Sequence, residues 1–245
     1  MTLPAKAFQR WLQGIAPDAS TADVCRVSGI KRTTLAQQLV RGKVSVSTVV
    51  SISRAYNINP VAALAGFDSY RVLAGPPQPP TRCELVSQIS TADLLRAALA
   101  RPAMDPLGRQ GAAPAPLSPV PHASSVKNWV DAIDDGEVRH RVSAATGIAP
   151  QNYSAQLTAN RLSPELAVAT SLAAGVDPAS GLVATGLITE EEAGWAPGAR
   201  QEALDSMSDG DLTALVGDRM QALGKVLRRQ EQDQAQTEKI WENLG

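Results

Sequence analysis

The chain has 245 residues, of which 44% are hydrophobic and 19% are charged, a balance typical of folded, water-soluble domains rather than of disordered or membrane proteins. No apolar run approaches the roughly 18 residues of a transmembrane helix, and residues 1–10 lack the pattern of a secretory signal, so we expect a cytoplasmic protein without membrane association. The two cysteines, Cys25 and Cys83, are too few for a disulfide framework or a structural zinc site.

The formal net charge of -1 conceals a strong asymmetry along the chain. Residues 1–80 contain 9 Lys or Arg against 3 Asp or Glu, whereas residues 126–194 contain 4 against 9. A basic first third on an otherwise acidic chain indicates that a polyanion, if the protein binds one, contacts the N-terminal part.

The sequence is internally duplicated. A shift of 118 residues aligns it with itself without a gap, and between residues 8 and 65 thirteen of 58 positions are identical, from Trp11/Trp129 to Leu64/Leu182. The same shift aligns Ser90 with Ser208, so the repeated unit is a small domain followed by a short helix. Repeat 1 denotes the domain in residues 1–73, and repeat 2 denotes the domain in residues 126–194.

Substitutions between the two repeats predict that they share one fold. At three places the aligned residues differ but belong to types with the same backbone role: glycine or asparagine at positive φ, and an N-cap residue followed by proline. These places are Gly42/Asn160, Asn57/Gly175 and Asn59-Pro60/Asp177-Pro178. Helix ends and turns therefore fall at matching positions in both copies.

Repeat 1 is predicted to be all helical, with five helices in about 60 residues. Apolar residues at helical spacing from Phe8 to Ile15 indicate the first helix, and Ser20 is typical of the cap of the second. Gly29-Ile30 predicts a tight turn, and Gly42 is predicted to end the third helix. The five predicted helices cover residues 8–15, 21–28, 32–40, 45–56 and 60–66.

Proline-rich segments separate the two repeats. Residues 76–80 stiffen the connection, and residues 102–125 predict an extended linker without a core, so we expect the copies to be tethered rather than fused. Apolar residues from Leu212 to Leu227 form one stripe of a predicted C-terminal helix. The predicted organisation is an N-terminal domain (1–73), a linker with a short helix at about 90–101 (74–125), a second domain (126–194) and a C-terminal helical segment (195–245).

A short helix, a turn that contains glycine and a second short helix are the arrangement of a helix-turn-helix, whose second helix enters the major groove of DNA. Arg and Gln pair bidentately with guanine and adenine, Thr contacts thymine methyl groups or phosphates, and flanking cations neutralise phosphates. In repeat 1 the predicted base contacts are Arg32, Thr33, Thr34, Gln37 and Gln38, and the predicted phosphate contacts are Lys31, Arg41 and Lys43.

At these residues the sequence resembles the helix-turn-helix regulators of the phage-repressor and Cro class. The resemblance lies in the turn Ser28-Gly29-Ile30, the helix 33–39, the helix end at Arg41-Gly42 and the segment 55–60. In repeat 2 and beyond it, the order of Trp129, residues 146–148, 175–178 and 186–192, and residues 208–212 is similar to immunity repressors of actinobacterial temperate phages. The resemblance implies a repressor that binds double-stranded operator DNA near the nucleoid, in the cytoplasm of a bacterial host, and maintains lysogeny.

Repeat 2 departs from this pattern. It has Ala149-Pro150-Gln151-Asn152-Tyr153 where repeat 1 has residues 31–35, and its acidic surroundings weaken electrostatic attraction to DNA. The candidate contacts in repeat 2 are Gln151, Asn152 and Gln156 for adenine and Arg161 for a phosphate. If both repeats bind, the chain is a monomeric pseudo-dimer that reads an asymmetric site. If only repeat 1 binds, the acidic C-terminal half serves dimerisation or a protein partner, as a scaffold or anti-repressor would.

No residues form a pattern for catalysis or for binding a metal or cofactor, so we expect neither an enzyme nor a cofactor. His122 and His140 have no nucleophile beside them in the sequence. Glu190-Glu191-Glu192 follows Thr189, which predicts the first turn of a helix rather than a metal site. Trp11, Trp129 and Cys25 are predicted to be buried structural residues.

Overall fold

The computed structural model describes residues 2–101 and 115–242. Most of them are helical, as predicted, but β1 (Thr2–Pro4) and β2 (Lys43–Ser45) form a two-stranded antiparallel sheet. Leu3 lies opposite Val44 in this sheet, and both side chains are fully buried. The all-helical prediction for repeat 1 is therefore wrong at these strands, because three residues are too few to show an alternating pattern. None of the helices in the described ranges is both long and apolar enough to span a bilayer.

The helices follow one another in a similar order in both copies. In the first copy they are α1 (Ala5–Ile15), α2 (Thr21–Ser28), α3 (Arg32–Val40), α4 (Val46–Ala55), α5 (Pro60–Ala65), a 3₁₀ helix (Asp68–Ala74), α6 (Arg82–Ser87) and α7 (Thr91–Leu99). In the second they are α8 (Ser125–Ile133), α9 (Val138–Thr146), α10 (Pro150–Thr158), α11 (Pro164–Ala174), α12 (Ser180–Ala184), α13 (Ala199–Asp205) and α14 (Asp209–Glu242). Helices α3 and α10 begin and end at positions that the shift of 118 residues superimposes.

The turn residues have the backbone conformations that the aligned copies predict. φ is 69° at Gly42 and 50° at Asn160, and it is 55° at Asn57 and 70° at Gly175. Only glycine and, less readily, asparagine adopt this left-handed conformation at low cost. The exchange of glycine for asparagine between the copies thus preserves the ends of their helices.

The chain folds into two compact units, and both repeats lie in the first. Unit 1 contains Met1–Gln88 and Pro119–Arg200. Its hydrophobic core is continuous and includes Leu35 of repeat 1 and Trp129 of repeat 2. The expectation of tethered copies is therefore corrected, because the two domains bury apolar surface together. Part of the predicted linker, residues 102–114, lies outside the described residues.

The segment after repeat 1 is structured and packs on repeat 2 within unit 1. Helix α6 begins with a capping box in which the side chains of Thr81 and Glu84 each bind the other residue's backbone N–H. Glu84 is buried, and its Oε1 accepts a hydrogen bond from Nε1 of Trp129 at 3.3 Å. The Thr-x-x-Glu spacing is a sequence signature of a helix start, but no helix was predicted here.

Unit 2 contains Ile89–Ser118 and Gln201–Gly245. Leu94 and Ala98 of α7 pack in one cluster with Leu212 and Val216 of α14. Helix α7 lies within the short helix predicted at about 90–101, and the side chain of Ser90 caps it. Unit 2 thus has a small core of its own.

Candidate nucleic-acid interface

The connection between α2 and α3 is a tight turn of three residues. Gly29 ends α2 at φ 70°, and Lys31 is extended immediately before α3. Ile30, just before α3, packs against the core of unit 1, and Leu35 of α3 is fully buried. These two residues hold one side of α3 against the core. The turn and the buried face of α3 leave the start of the helix exposed.

The predicted contact residues at the start of α3 point away from the core. Lys31, Arg32, Thr33, Thr34 and Gln37 are exposed, as are Arg41 and Lys43 just beyond the helix. Among the described residues, no carboxylate forms an ion pair with the four cations of this set. The ion pairs of repeat 1 involve other cations, namely Arg26, Arg54 and Arg71. The exposed end of α3 thus carries a positive charge that nearby side chains do not neutralise.

Gln38 has a different environment from the other predicted contacts. It is half-buried, and its Oε1 accepts hydrogen bonds from the backbone N–H of Ser45 and from Oγ1 of Thr48, both at 3.0 Å. In the second copy Oε1 of Gln156 accepts a hydrogen bond from the N–H of Ser163 at 3.3 Å. Bidentate recognition of adenine needs this oxygen, so the geometry favours a structural role for both glutamines.

Replacing Gln38 with alanine is expected to lower the free energy of unfolding by about 1–2 kcal/mol, because it leaves the N–H of Ser45 without its acceptor and removes the hydrogen bond from the buried hydroxyl of Thr48. Urea denaturation of the full chain measures this change. The control is Gln37→Ala on the exposed side of the same helix, for which we expect a change within about 0.5 kcal/mol. Equal stability of the two variants would contradict the structural role.

The exposed face of α3 also includes residues that were not predicted as contacts. Val40 is 89% exposed, and Ala36 is exposed. They lie seven and three residues after Thr33, so helical periodicity places them on the same face as Thr33 and Gln37. The sequence contained this signal in the spacing of the residues, and an exposed valine suits contact with a thymine methyl group.

Helix α10 presents a comparable but less charged face. Three of its predicted contact residues are exposed, namely Gln151, Asn152 and Arg161. Tyr153 is buried, and a hydrogen bond of 2.8 Å joins its hydroxyl to Oγ1 of Thr170. Tyr153 aligns with the buried Leu35 of α3. The predicted contacts of repeat 2, other than Gln156, are therefore accessible.

The cations of repeat 2 are mostly paired with acids. Arg139 binds the carboxylates of Asp131 and Asp134 at 2.8 and 2.9 Å, and Lys127 also binds Asp131. Arg141 binds Asp135 and holds the pKa of that carboxyl below its usual range. Of the four cations between residues 126 and 194, only Arg161 has no carboxylate partner among the described residues. Repeat 2 thus offers less uncompensated positive charge than repeat 1.

Hydrogen bonds from Arg54 and Asn59 to Leu187 and Glu192 join the two repeats, and this set of contacts is called the clamp below. Nε and Nη2 of Arg54 donate to the two carboxylate oxygens of Glu192 at 2.6 and 2.7 Å, and Nη2 also donates to the carbonyl of Leu187. Nδ2 of Asn59 donates to the carbonyl of Glu192 at 2.9 Å. Glu192 was predicted to lie in the first turn of a helix, but residues 190–194 form a turn instead. The predicted cap is present, because Oγ1 of Thr189 accepts a hydrogen bond from the N–H of Glu192 and Oε2 of Glu192 accepts one from the N–H of Thr189. The predicted helix does not continue beyond this turn, which ends at Gly194 with φ 79°.

The clamp makes part of the stability depend on pH. The hydrogen bonds from Arg54 are the main cause that lowers the pKa of Glu192. A lowered pKa contributes stability above the ordinary value of about 4.3, and this contribution is lost as the pH falls through the lowered value. Glu192→Gln is expected to lower the free energy of unfolding by about 1 kcal/mol at pH 7, since the pair is partly exposed. The difference from wild type should be smaller at pH 3, and an equal difference at both values would contradict the ionic role.

Comparison with known proteins gives no relative. No protein-family model, no curated protein and no solved structure matches the chain.

Proposed function

We propose that the protein is a sequence-specific double-stranded DNA-binding transcriptional repressor of the phage-immunity type. In this proposal α2, the turn 29–31 and α3 form a helix-turn-helix, and α3 is the main reading helix. Helices α9 and α10 form a second, less basic helix-turn-helix.

The observation that carries the proposal is the exposed face of α3. It combines groups that hydrogen-bond base edges with exposed cations that form no ion pair with a carboxylate in the described part of the chain. Opposite charges three or four residues apart stabilise a surface helix, and α3 contains no such pair. Neutralisation of phosphates releases counterions from DNA and supplies much of the binding free energy. Charge and residue type on this face therefore both suit a nucleic acid.

The contacts between the repeats support a single-chain pseudo-dimer. Arg54, Asn59 and Glu192 connect the two domains, and both contribute to one core. In this arrangement the chain presents two unlike reading helices with a fixed relative placement. An asymmetric bipartite site with a defined spacing is then the expected target, and inserting about half a helical turn of DNA, roughly 5 base pairs, between its halves should abolish the contribution of α10.

Replacing Arg32 with alanine tests the assignment of the reading helix. We expect this variant to bind the DNA site that the wild type prefers more weakly by about 1–3 kcal/mol, and to show a relaxed sequence preference at one base pair. Titration of labelled duplexes with the full chain measures both effects.

Arg71→Ala is the matched control for this test. It removes the same charge from an exposed cation of repeat 1 that pairs with Asp68. The affinity of this variant for the preferred DNA site should stay within about twofold of wild type, since Arg71 lies on the 3₁₀ helix and outside the predicted contact residues. Unchanged binding by Arg32→Ala would show that α3 is not the reading helix.

A second function is favoured by a different observation. Met220, Leu223, Val226 and Leu227 of α14 are all more than 40% exposed, and such a surface is typical of protein association. In this alternative, repeat 1 alone binds DNA and the acidic C-terminal half docks a protein partner as a scaffold or anti-repressor. If Gln151→Ala and Arg161→Ala leave DNA affinity unchanged while Arg32→Ala lowers it, this alternative replaces the bipartite reader.

A further inference from the structure

The first helix of repeat 1, α1, has one side in the core and one side open to solvent. Ala5 and Phe8 are buried, whereas Lys6 and Arg10 are exposed. Lys6 and Arg10 are four residues apart, so they lie on the same side of the helix. Helix α1 contains no acidic residue, and neither cation forms an ion pair with a carboxylate in the described part of the chain. Two exposed positive charges therefore lie next to each other on α1.

These charges lie beside the end of α3. Strand β1, just before α1, pairs with β2, just after α3, and the N–H of Ala5 donates to the carbonyl of Gly42 at 3.0 Å. Gly42 stands between Arg41 and Lys43 in the sequence, and Lys6 follows Ala5 directly. The short sheet thus holds the start of α1 against the end of α3, where two of the predicted phosphate contacts are exposed.

The aligned side of the first helix of repeat 2 has a different character. The shift of 118 residues aligns Lys6 with Ser124 and Arg10 with Asn128. Asn128 is buried, and its Nδ2 donates to Oγ of Ser124 at 2.9 Å. One copy therefore has uncharged side chains bonded to each other at these positions, and the other copy has exposed cations.

The fold of repeat 1 gains no stability from collecting these cations. Like charges four residues apart on a helix repel each other, and the cations after α3 add to the same positive potential. A polyanion in contact with this surface would be attracted by all of them. Double-stranded DNA carries one negative charge per about 1.7 Å of its axis, and the face of α3 already proposed to bind it is continuous with this surface.

We propose that Lys6 and Arg10 bind backbone phosphates of the same double-stranded DNA that α3 reads, next to the phosphates bound by Arg41 and Lys43. This inference rests on the proposed DNA binding and extends the interface to a helix outside the helix-turn-helix. Contacts to phosphates carry no base information, so the two residues strengthen binding to every sequence by a similar factor.

Salt titrations of the full chain with Lys6 and Arg10 both changed to alanine test the contacts. The probes are a labelled duplex that carries the motif selected by the wild type and a labelled duplex of unrelated sequence. We expect affinity for both duplexes to fall at least about tenfold at 0.15 M salt. The slope of log affinity against log salt should decrease in magnitude by about two, and the preferred motif should not change.

Two control variants separate the contacts from net charge and from packing. Arg228→Ala with Arg229→Ala removes two exposed cations of α14, and Lys6→Arg with Arg10→Lys keeps both charges on α1. Each control should change the slope by less than about one.

The outcomes distinguish this inference from the function on which it rests. If the wild type selects a motif and the alanine variant of α1 keeps the wild-type slope, or if the α14 control loses as much, the contacts on α1 are overturned and the reading role of α3 stands. If the wild type binds neither duplex, the proposed function fails, and this inference fails with it.

Cleavage of DNA from a tethered iron chelate tests the proximity of α1 directly. In a Cys83→Ser background the remaining Cys25 is buried, so a chelate attached to Lys6→Cys is the reactive label. We expect strand cleavage confined to a few neighbouring nucleotides of the bound motif. Cleavage no stronger than that from a chelate on Arg71→Cys, at an exposed position of the 3₁₀ helix, overturns the contact.

Discussion

Replacing Trp129 with alanine is expected to lower the free energy of unfolding of unit 1 by about 3–5 kcal/mol, as for other fully buried aromatic residues. The ring has no exposed surface, and its edge is so close to Gly181 that a Cβ there would lie 2.9 Å from Cη2. Its Nε1 is also the donor to the buried carboxylate of Glu84. The substitution therefore leaves both a cavity and a buried acceptor without its donor.

Trp11→Ala is the matched control, because Trp11 occupies the aligned position in repeat 1. Trp11 is half-buried and packs against Phe8 and Phe67 with ring centroids at 5.8 and 6.0 Å. Its loss should cost about 1–2 kcal/mol, in proportion to the smaller apolar area that it buries. Urea denaturation compares the two variants, and equal losses would contradict the central place of Trp129 in the core shared by the repeats.

Removing the three predicted phosphate contacts of repeat 1, with Lys31, Arg41 and Lys43 all changed to alanine, is expected to weaken DNA binding about 100-fold at 0.15 M salt. Each phosphate contact contributes about 0.9 to the slope of log affinity against log salt, so the slope should fall by about three. The preferred sequence should not change, because contacts to phosphates carry no base information. Titrations at several salt concentrations measure the slope.

The control for this variant removes three cations elsewhere. Arg71, Arg228 and Arg229 are exposed, and they lie on the 3₁₀ helix and on α14. Changing all three to alanine gives the same net charge as the test variant. We expect the slope to change by less than about one. An equal decrease in both variants would mean that overall charge, rather than the surface around α3, governs binding.

Local features of the fold are predictable from this sequence because short-range chemistry determines them. Gly42 and Asn160 mark helix ends through their backbone freedom, and Asn59 caps α5 before Pro60 as predicted. In the second copy Asp177 accepts a hydrogen bond from the N–H of Ala179, but α12 begins only at Ser180. Buried positions for Trp129 and Cys25 are also confirmed.

Packing between distant segments is not predictable in the same way. Arg54 and Glu192 are 138 residues apart, and each resembles an ordinary surface residue in its own helix or turn. The proline-rich composition after repeat 1 indicates a stiff connection, but it carries no information on the packing of α6 against α8. For the candidate site, exposure separates Gln37 from Gln38, although the two are adjacent and chemically identical in the sequence.

Selection of bound sequences from a randomised duplex library, by the full-length wild type and by Arg32→Ala, tests the central claim most directly. We expect the wild type to enrich one asymmetric motif, and Arg32→Ala to enrich the same motif with one base pair relaxed. No enriched motif for the wild type, or identical motifs for the two proteins, would contradict the claim that α3 reads DNA.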